Sequence, residues 1–266
     1  MLLLLLSPPM YVWTALALGS FCDYDIYEPS PRGGGRKRRA LVEDTRLWTD
    51  GVIPYSFTAE VDGGLRDRVR EAMRELEGIA DIHFVTPLRG RGERLIISTR
   101  HPEKPTGCWA TVGRYSPGKM NLGWCRDRRH ILHELLHVAG MWHEQSRQDS
   151  DQFITMRRTD INDCVVRGTN SRGMKYDFRS IMHYPISSLE AKITARGRQR
   201  LKEQKTQEAR VGYYSELSPL DADNLQALYG RSTNERTRDA ENSNVVAGLI
   251  AGGVAVAVLG MFIALR

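Results

Sequence analysis

The chain is poor in cysteine, with four in 266 residues, at positions 22, 108, 125 and 164. That excludes a disulfide-dense scaffold, and no cysteine-rich module of the EGF or CUB kind is present within these residues. Aromatic residues are missing between Lys192 and Arg210, where positive charge clusters within the body of the chain. Nucleic-acid surfaces interleave basic and stacking side chains, so this stretch reads as a long solvated surface loop, and the net charge of +6 does not point to a nucleic-acid partner. Four of the positive charges sit together in Arg36-Lys37-Arg38-Arg39, a site for a protease that cuts after basic residues. Charge is absent from Val245 to Leu265, a run long enough to span a bilayer.

These contrasts divide the chain. Residues 1–19 are Leu-rich and read as a signal peptide. Residues 20–39 are too short and too rich in Gly, Pro and charge to fold alone, and they end in the basic run, so they read as a pro-segment with Ala40 as the new N-terminus. Residues 40–230 form one domain large enough to bury a core. Residues 231–244 are a polar stalk. Residues 245–265 are read as either a transmembrane anchor or a GPI-attachment signal, two alternatives the sequence leaves open. All of this implies secretion, with the domain held at the cell surface.

Within the domain, Gly51 to Phe57 reads as a turn-led first strand. Leu65, Val69, Met73 and Leu76 fall on one face of a helix. Short strands follow at Ile82–Val85, Leu95–Ser98 and Met120–Trp124, and His83 reads as a strand-surface residue. A helix is expected over Arg129–Met141. After His143 regular pattern fades, with a short strand and a helical turn expected between Asp151 and Ile161. Ser218-Pro219-Leu220-Asp221 is a strong helix start, with Ser as cap, Pro at the first position and an acid at the third; Leu220, Leu225, Leu228 and Tyr229 give that helix its apolar stripe, and Gly230 stops it.

The stretch His133-Glu134-Leu135-Leu136-His137-Val138-Ala139-Gly140-Met141-Trp142-His143-Glu144 carries the chemistry. Four residues apart on a helix, His133 and His137 present both imidazoles on one face. Glu134 stands beside the first of them, able to reach a water on a shared metal without ligating it. Gly140 is free to take a positive φ, ending the helix and turning the chain so that His143 returns as a third nitrogen donor. Three ligands leave one position open, which catalysis needs and structural zinc sites avoid. His, Glu and His at this spacing also occur on ordinary helix surfaces; the added glycine and third histidine are what distinguish a metal site.

This pattern resembles the metzincin metallopeptidases. Its continuation through Glu144-Gln145-Ser146-Arg147, with Asp149 and Asp151 beyond, resembles the astacin family in particular. The resemblance covers roughly Ala40 to Gly230. It implies a two-lobed α+β domain with a mixed twisted sheet, a zinc-binding helix and a C-terminal helical lobe, holding one catalytic Zn2+ and cutting polypeptides internally. Ser180-Ile181-Met182-His183-Tyr184 resembles the metzincin Met-turn. Met182 is then an apolar floor beneath the metal, and Tyr184 a phenol that ligates zinc at rest and later stabilises the oxyanion; His183 is given no role. Trp109, Ala110 and Thr111 fall in Gly107–Arg114, which resembles the family's substrate-binding edge strand. Cys108 and Cys125 match a family disulfide. The family's second bridge has no counterpart, since Asp81 stands at one partner position and no cysteine follows Cys164. Glu144 is implied to meet the new N-terminus. In the pro-segment Asp25 is the candidate zinc blocker, with Cys22 as its rival.

The function expected is a zinc metalloendopeptidase with Glu134 as general base and an activating protease as partner. The alternatives are a cell-surface binding or adhesion protein that keeps the fold, and a structural zinc domain. Retention of Glu134 speaks against the first, and the open coordination position against the second.

Overall fold

The computed structural model describes residues 46–87, 92–102, 104–156 and 173–232. The signal, pro-segment and membrane-segment expectations, with Cys22, Asp25 and Cys164, lie outside them, as does the expected stalk beyond Ser232; Arg231 and Ser232 pair with Ala80 and Ile79 and so belong to the domain. Among the described residues no helix is long and apolar enough to cross a membrane.

The chain opens with a 3-10 turn at Thr49–Gly51 and enters strand β1 (Val52–Phe57). Helix α1 (Gly63–Ile79) follows, capped by Asp62, whose side chain accepts from the Leu65 N–H at 2.9 Å. It buries Leu65, Val69, Ala72, Met73 and Leu76, the stripe expected from spacing with one residue added. Strands β2 (His83–Val85), β3 (Leu95–Ser98), β4 (Cys108–Ala110) and β5 (Gly118–Leu122) complete a five-stranded sheet in the order β2-β1-β3-β5-β4. All pairings are parallel except β4 against β5. His83 is exposed on an edge strand, with Nε2 3.2 Å from Asp81.

Strand β5 runs two residues earlier than the expected Met120–Trp124. At Gly123 the chain runs so close to Gly107 that any Cβ would sit 2.8 Å from the Gly107 carbonyl oxygen, which accepts from the Gly123 N–H at 3.1 Å. Helix α2 (Arg128–Val138) is likewise shorter than the expected Arg129–Met141, ending at the Ala139 cap before Gly140, which has φ of 104°. Every residue from Ile131 to Val138 is buried, because α2 packs against α1 on one side and β4 and β5 on the other.

The second half holds a 3-10 turn at Ser150–Gln152, the small antiparallel pair β6 (Ile154–Thr155) and β7 (Lys192–Ile193), and helices α3 (Ala195–Glu203) and α4 (Pro219–Tyr229). Lys192–Arg210 is therefore not a surface loop. It contains β7, α3 and a 3-10 turn at Glu208–Arg210. Helix α3 is capped by Thr194, which accepts from the Gly197 N–H at 3.0 Å, and has Arg200 and Lys202 in its last turn, where the helix dipole favours positive charge. Helix α4 begins on the expected Ser218, whose hydroxyl accepts from the Asp221 N–H while the Asp221 carboxylate accepts from the Ser218 N–H.

Among the described residues two large hydrophobic cores result, beside a small contact of Val112 with Trp142. The larger joins the sheet to α1 and α2 and takes in Met182, Leu225 and Leu228. The smaller gathers Phe153, Ile154, Met156, Tyr176, Phe178, Ile186, Leu189, Ile193, Leu201 and Val211. The fold is thus α+β and two-lobed, although α4, the last helix, packs with the first core rather than the second.

Candidate metal centre

The C-terminal end of α2 is fastened from three directions. The Trp48 indole N–H donates to the Val138 carbonyl at 2.9 Å, the Tyr229 hydroxyl donates to the Ala139 carbonyl at 2.9 Å, and the Gly113 N–H donates to the His137 carbonyl at 2.9 Å. Carbonyls that a helix end leaves unpaired are therefore satisfied, and the chain is free to turn at Gly140.

That turn brings three imidazoles together. Nε2 of His143 lies 3.3 Å from Nε2 of His133 and 3.1 Å from Nε2 of His137. All three rings are buried, and His133, His137 and His143 are the one cluster of metal-ligating type among the described residues. Two of the rings have their tautomer fixed. Nδ1 of His133 donates to the Ile181 carbonyl at 2.9 Å, and Nδ1 of His137 donates to the Met141 carbonyl at 2.7 Å. A carbonyl oxygen only accepts, so each proton sits on Nδ1 and each Nε2 turns a lone pair inward. Two inward lone pairs beside a third imidazole nitrogen make a donor set that a cation can share. Tetrahedral zinc with Zn–N bonds of about 2.0–2.1 Å needs ligand nitrogens about 3.3–3.4 Å apart. Two separations are near that value and all three donors lie within 4.8 Å of one another, so the donor set fits one zinc ion.

Glu134 is buried beside His133 on α2. The Ser180–His183 segment forms a tight turn, with the His183 N–H donating to the Ser180 carbonyl at 3.2 Å. The turn is pinned to the stretch after His143, since the Glu144 N–H donates to the Met182 carbonyl at 3.1 Å and the Tyr184 N–H to Oε1 of Gln145 at 3.0 Å. Met182 is buried in the larger core. The Tyr184 ring centroid lies 4.5 Å from that of His143, so the phenol borders the metal cluster.

Glu144 is buried and its Oε1 accepts from Arg147 at 2.9 Å and from the Asp177 N–H at 2.8 Å. Desolvation outweighs the pull of Arg147 and pushes its carboxyl up to about 8. Ala40, the residue that Glu144 was expected to meet after processing, lies outside the described residues. Trp109, Ala110 and Thr111 are all buried, and the Trp109 indole donates to the Lys104 carbonyl, so their side chains face protein. What β4 offers outward is backbone. Thr111 N donates to Lys119 O, which makes Thr111 and Trp109 the residues bonded to β5 and turns the N–H and C=O of Cys108 and Ala110 towards the open edge. The Cys108–Cys125 disulfide is present, with Cα atoms 5.9 Å apart.

Sequence reasoning missed the polar groups behind the turn. Asp221 accepts from the Ser180 hydroxyl at 2.6 Å and the Ile181 N–H at 3.0 Å, and Ser218 bonds Asp177. His183, given no role, is buried with Nδ1 donating to the Tyr184 carbonyl at 2.6 Å and Nε2 2.9 Å from the Tyr176 hydroxyl. Burial pulls its imidazole down to about 4, which keeps it neutral. The sequence signal available for these residues was the capping box at Ser218 and Asp221; the contacts themselves span about 40 positions.

The family model for Astacin, a peptidase family, matches residues 40–230. The chain belongs to the astacin family. It is 35% identical over 158 residues to human Tolloid-like protein 1, covering 55% of this chain and 15% of that protein. It is 30% identical over 207 residues to zinc metalloproteinase nas-15 of Caenorhabditis elegans, covering 74% of this chain and 34% of that protein. The chain thus spans a minor part of these astacin relatives. Among solved structures it is similar to high choriolytic enzyme 1, a hatching enzyme zinc-protease from the medaka fish Oryzias latipes, with a TM-score of 0.59 at 23% identity, covering 71% of this chain and 96% of that one. This last likeness establishes the shared astacin fold.

Proposed function

We propose that this astacin-family chain is a zinc-dependent endopeptidase that hydrolyses internal peptide bonds of extracellular polypeptides. The observation that carries the reading is the convergence of three Nε2 atoms, with His143 at 3.1 and 3.3 Å from the other two, whose rings keep their protons on Nδ1 and donate them to backbone carbonyls. His133, His137 and His143 would hold the ion. Zinc, when bound, supplies a Lewis acid that acidifies water and polarises a carbonyl.

The chain's own residues do the rest. An extended substrate adds to the open edge of β4, held by the backbone of Cys108 and Ala110. Glu134 takes the proton of the attacking water and passes it to the leaving amine. Tyr184, beside His143, donates from its phenol to the developing oxyanion. Met182 closes the floor, and Gly140 makes the turn that delivers His143.

Secretion, a pro-segment ending at Arg39 and attachment through residues 245–265 belong to this proposal and rest on the sequence pattern. An oxidised Cys108–Cys125 pair supports an extracellular setting. Removal of the pro-segment, with Asp25 as its candidate zinc blocker, would then require a protease cutting at the basic run.

The test is Glu134→Ala in the full chain, loaded with zinc and treated with a protease that cuts after paired basic residues. Cleavage of a diverse peptide library is expected to fall by at least about a hundredfold, with one equivalent of zinc retained. Hydrolysis at the parent rate in the variant would overturn the role given to Glu134, and a zinc-loaded parent that cleaves nothing in the library would leave the alternative of a binding protein that keeps the fold.

A further inference from the structure

Tyr184 lies in no helix or strand, and yet both of its backbone polar groups are held. Its N–H donates to Oε1 of Gln145 at 3.0 Å, and its carbonyl accepts from Nδ1 of His183 at 2.6 Å. Gln145 and His183 are both buried. Gln145 stands two positions beyond His143, so one of the two anchors travels with a zinc-ligand loop. The other is itself held. With its proton committed to the Tyr184 carbonyl, the neutral His183 ring has only a lone pair at Nε2, and the Tyr176 hydroxyl 2.9 Å away donates to it.

Tyr176 is fixed on every side. Its ring stacks on Phe153 with centroids 4.5 Å apart and planes at 13°. The Arg147 guanidinium lies 5.5 Å from its centroid, and its carbonyl accepts from Arg200 at 2.7 Å. Tyr176 belongs to the smaller core, and Met182, two residues before Tyr184, belongs to the larger one. Tyr184 packs against the smaller core as well, so the Tyr176–His183–Tyr184 chain lies on that side and ends at the residue next to the metal cluster.

We infer that Tyr176 and His183 are positioning residues for Tyr184, locking its main chain so that the phenol is already aimed when an oxyanion forms. This rests on the role proposed for Tyr184 above. Neither residue touches substrate; they act through the Tyr184 backbone, where a small loss of order is felt in the chemical step and little in binding.

The experiment is a double-mutant cycle in the zinc-loaded full chain. Tyr176→Phe removes one oxygen and keeps the stacked ring. We expect kcat to fall roughly three- to tenfold, the size of one lost hydrogen bond, with KM changed by less than about twofold and zinc content unchanged. In a Tyr184→Phe background the same substitution is expected to change kcat no further. His183→Asn keeps a donor near the δ position and should retain more kcat than His183→Ala. In the zinc-free protein, hydrogen exchange of the Tyr184 amide should quicken in Tyr176→Phe while the amides of α1 stay protected. An equal loss of kcat in both backgrounds, or a loss confined to KM or zinc content, overturns the proposal. If Tyr184→Phe lowers kcat and Tyr176→Phe does not, only this inference falls. If Tyr184→Phe keeps the parent kcat, the role proposed for Tyr184 falls with it.

Discussion

Asp221 reaches His133 through the backbone of one residue: its Oδ2 accepts the Ile181 N–H at 3.0 Å, and the Ile181 carbonyl accepts from Nδ1 of His133 at 2.9 Å. A carboxylate in the capping box of α4 thereby holds the turn that orients a ring on α2. Asp221→Ala would leave the buried Ile181 and Ser218 N–H groups without an acceptor, at a cost of about 2–4 kcal/mol of stability. Outer partners of ligating imidazoles typically govern metal affinity by about 10- to 100-fold. A loss of zinc affinity in that range is expected in competition with a chelator. Wild-type affinity in the folded variant would show that Asp221 serves the helix cap alone.

The same residue gives a pH dependence with a definite sign. Burial and the neighbouring Asp177 push the Asp221 carboxyl up to about 6 from an ordinary 3.8. A group whose folded pKa is raised binds its proton more tightly in the folded state. Its contribution is fully present below the unfolded value and is lost as pH rises through the folded one. Between pH 3.8 and about 6 the interval corresponds to about 3 kcal/mol. Asp221→Asn removes this titration. The stability of the parent minus that of the variant, from urea unfolding, should decline across that window and level off above it. A difference that climbs with pH would show a carboxylate stabilised by its hydrogen bonds rather than strained by burial.

Legibility in the sequence followed the range of the interactions. The metal helix could be read because its donors repeat at helical spacing and Gly140 marks the turn. Helix α1 could be read from four residues on one face, and α4 from its Ser-Pro-x-Asp start. Helix α3 could not, because Leu201 is its one large apolar residue facing the core, so no stripe forms; its fixed points are the Thr194 cap and Gly197, where a Cβ would sit 2.1 Å from the Phe153 carbonyl oxygen. The supporting polar groups were hidden for a different reason. Asp221, Asp177 and Tyr176 act on the turn from other elements, and no local spacing encodes such contacts. His183 was passed over because alternation along a turn says nothing about what a buried ring meets.

The Cys108–Cys125 bridge closes a loop of 17 positions between β4 and the start of α2. Removing it with paired Cys→Ala substitutions should cost about 3 kcal/mol by loop entropy, which lowers the melting temperature by roughly 6–12 °C for a domain of this size. Because the bridge ties down the edge strand and not the histidines, KM for long peptides should rise while zinc affinity stays at the parent value. Loss of zinc with no change in KM would assign the bridge to the metal helix instead.

Gly212 has φ of 80°, and a Cβ placed there would lie 2.2 Å from the Pro185 nitrogen and 2.5 Å from the Tyr184 carbonyl carbon. Arg129 on α2 donates to the carbonyls of Gly212 and Tyr214, so the segment cannot slide away from Tyr184 without breaking its tie to the metal helix. Gly230 has nearly the same φ, 82°, with nothing within 4 Å of a Cβ, and so separates backbone strain from crowding. Gly230→Ala should cost about 1–3 kcal/mol, the strain of a backbone at φ 82° and ψ 169° that glycine alone adopts readily. Gly212→Ala should cost at least about 1 kcal/mol more, the usual penalty of overpacking, and should lower kcat by displacing Tyr184 while zinc content holds. Equal melting temperatures for the two variants, with full kcat in Gly212→Ala, would mean that the Tyr184–Pro185 peptide yields freely, and the tight seat described for Tyr184 would then be wrong.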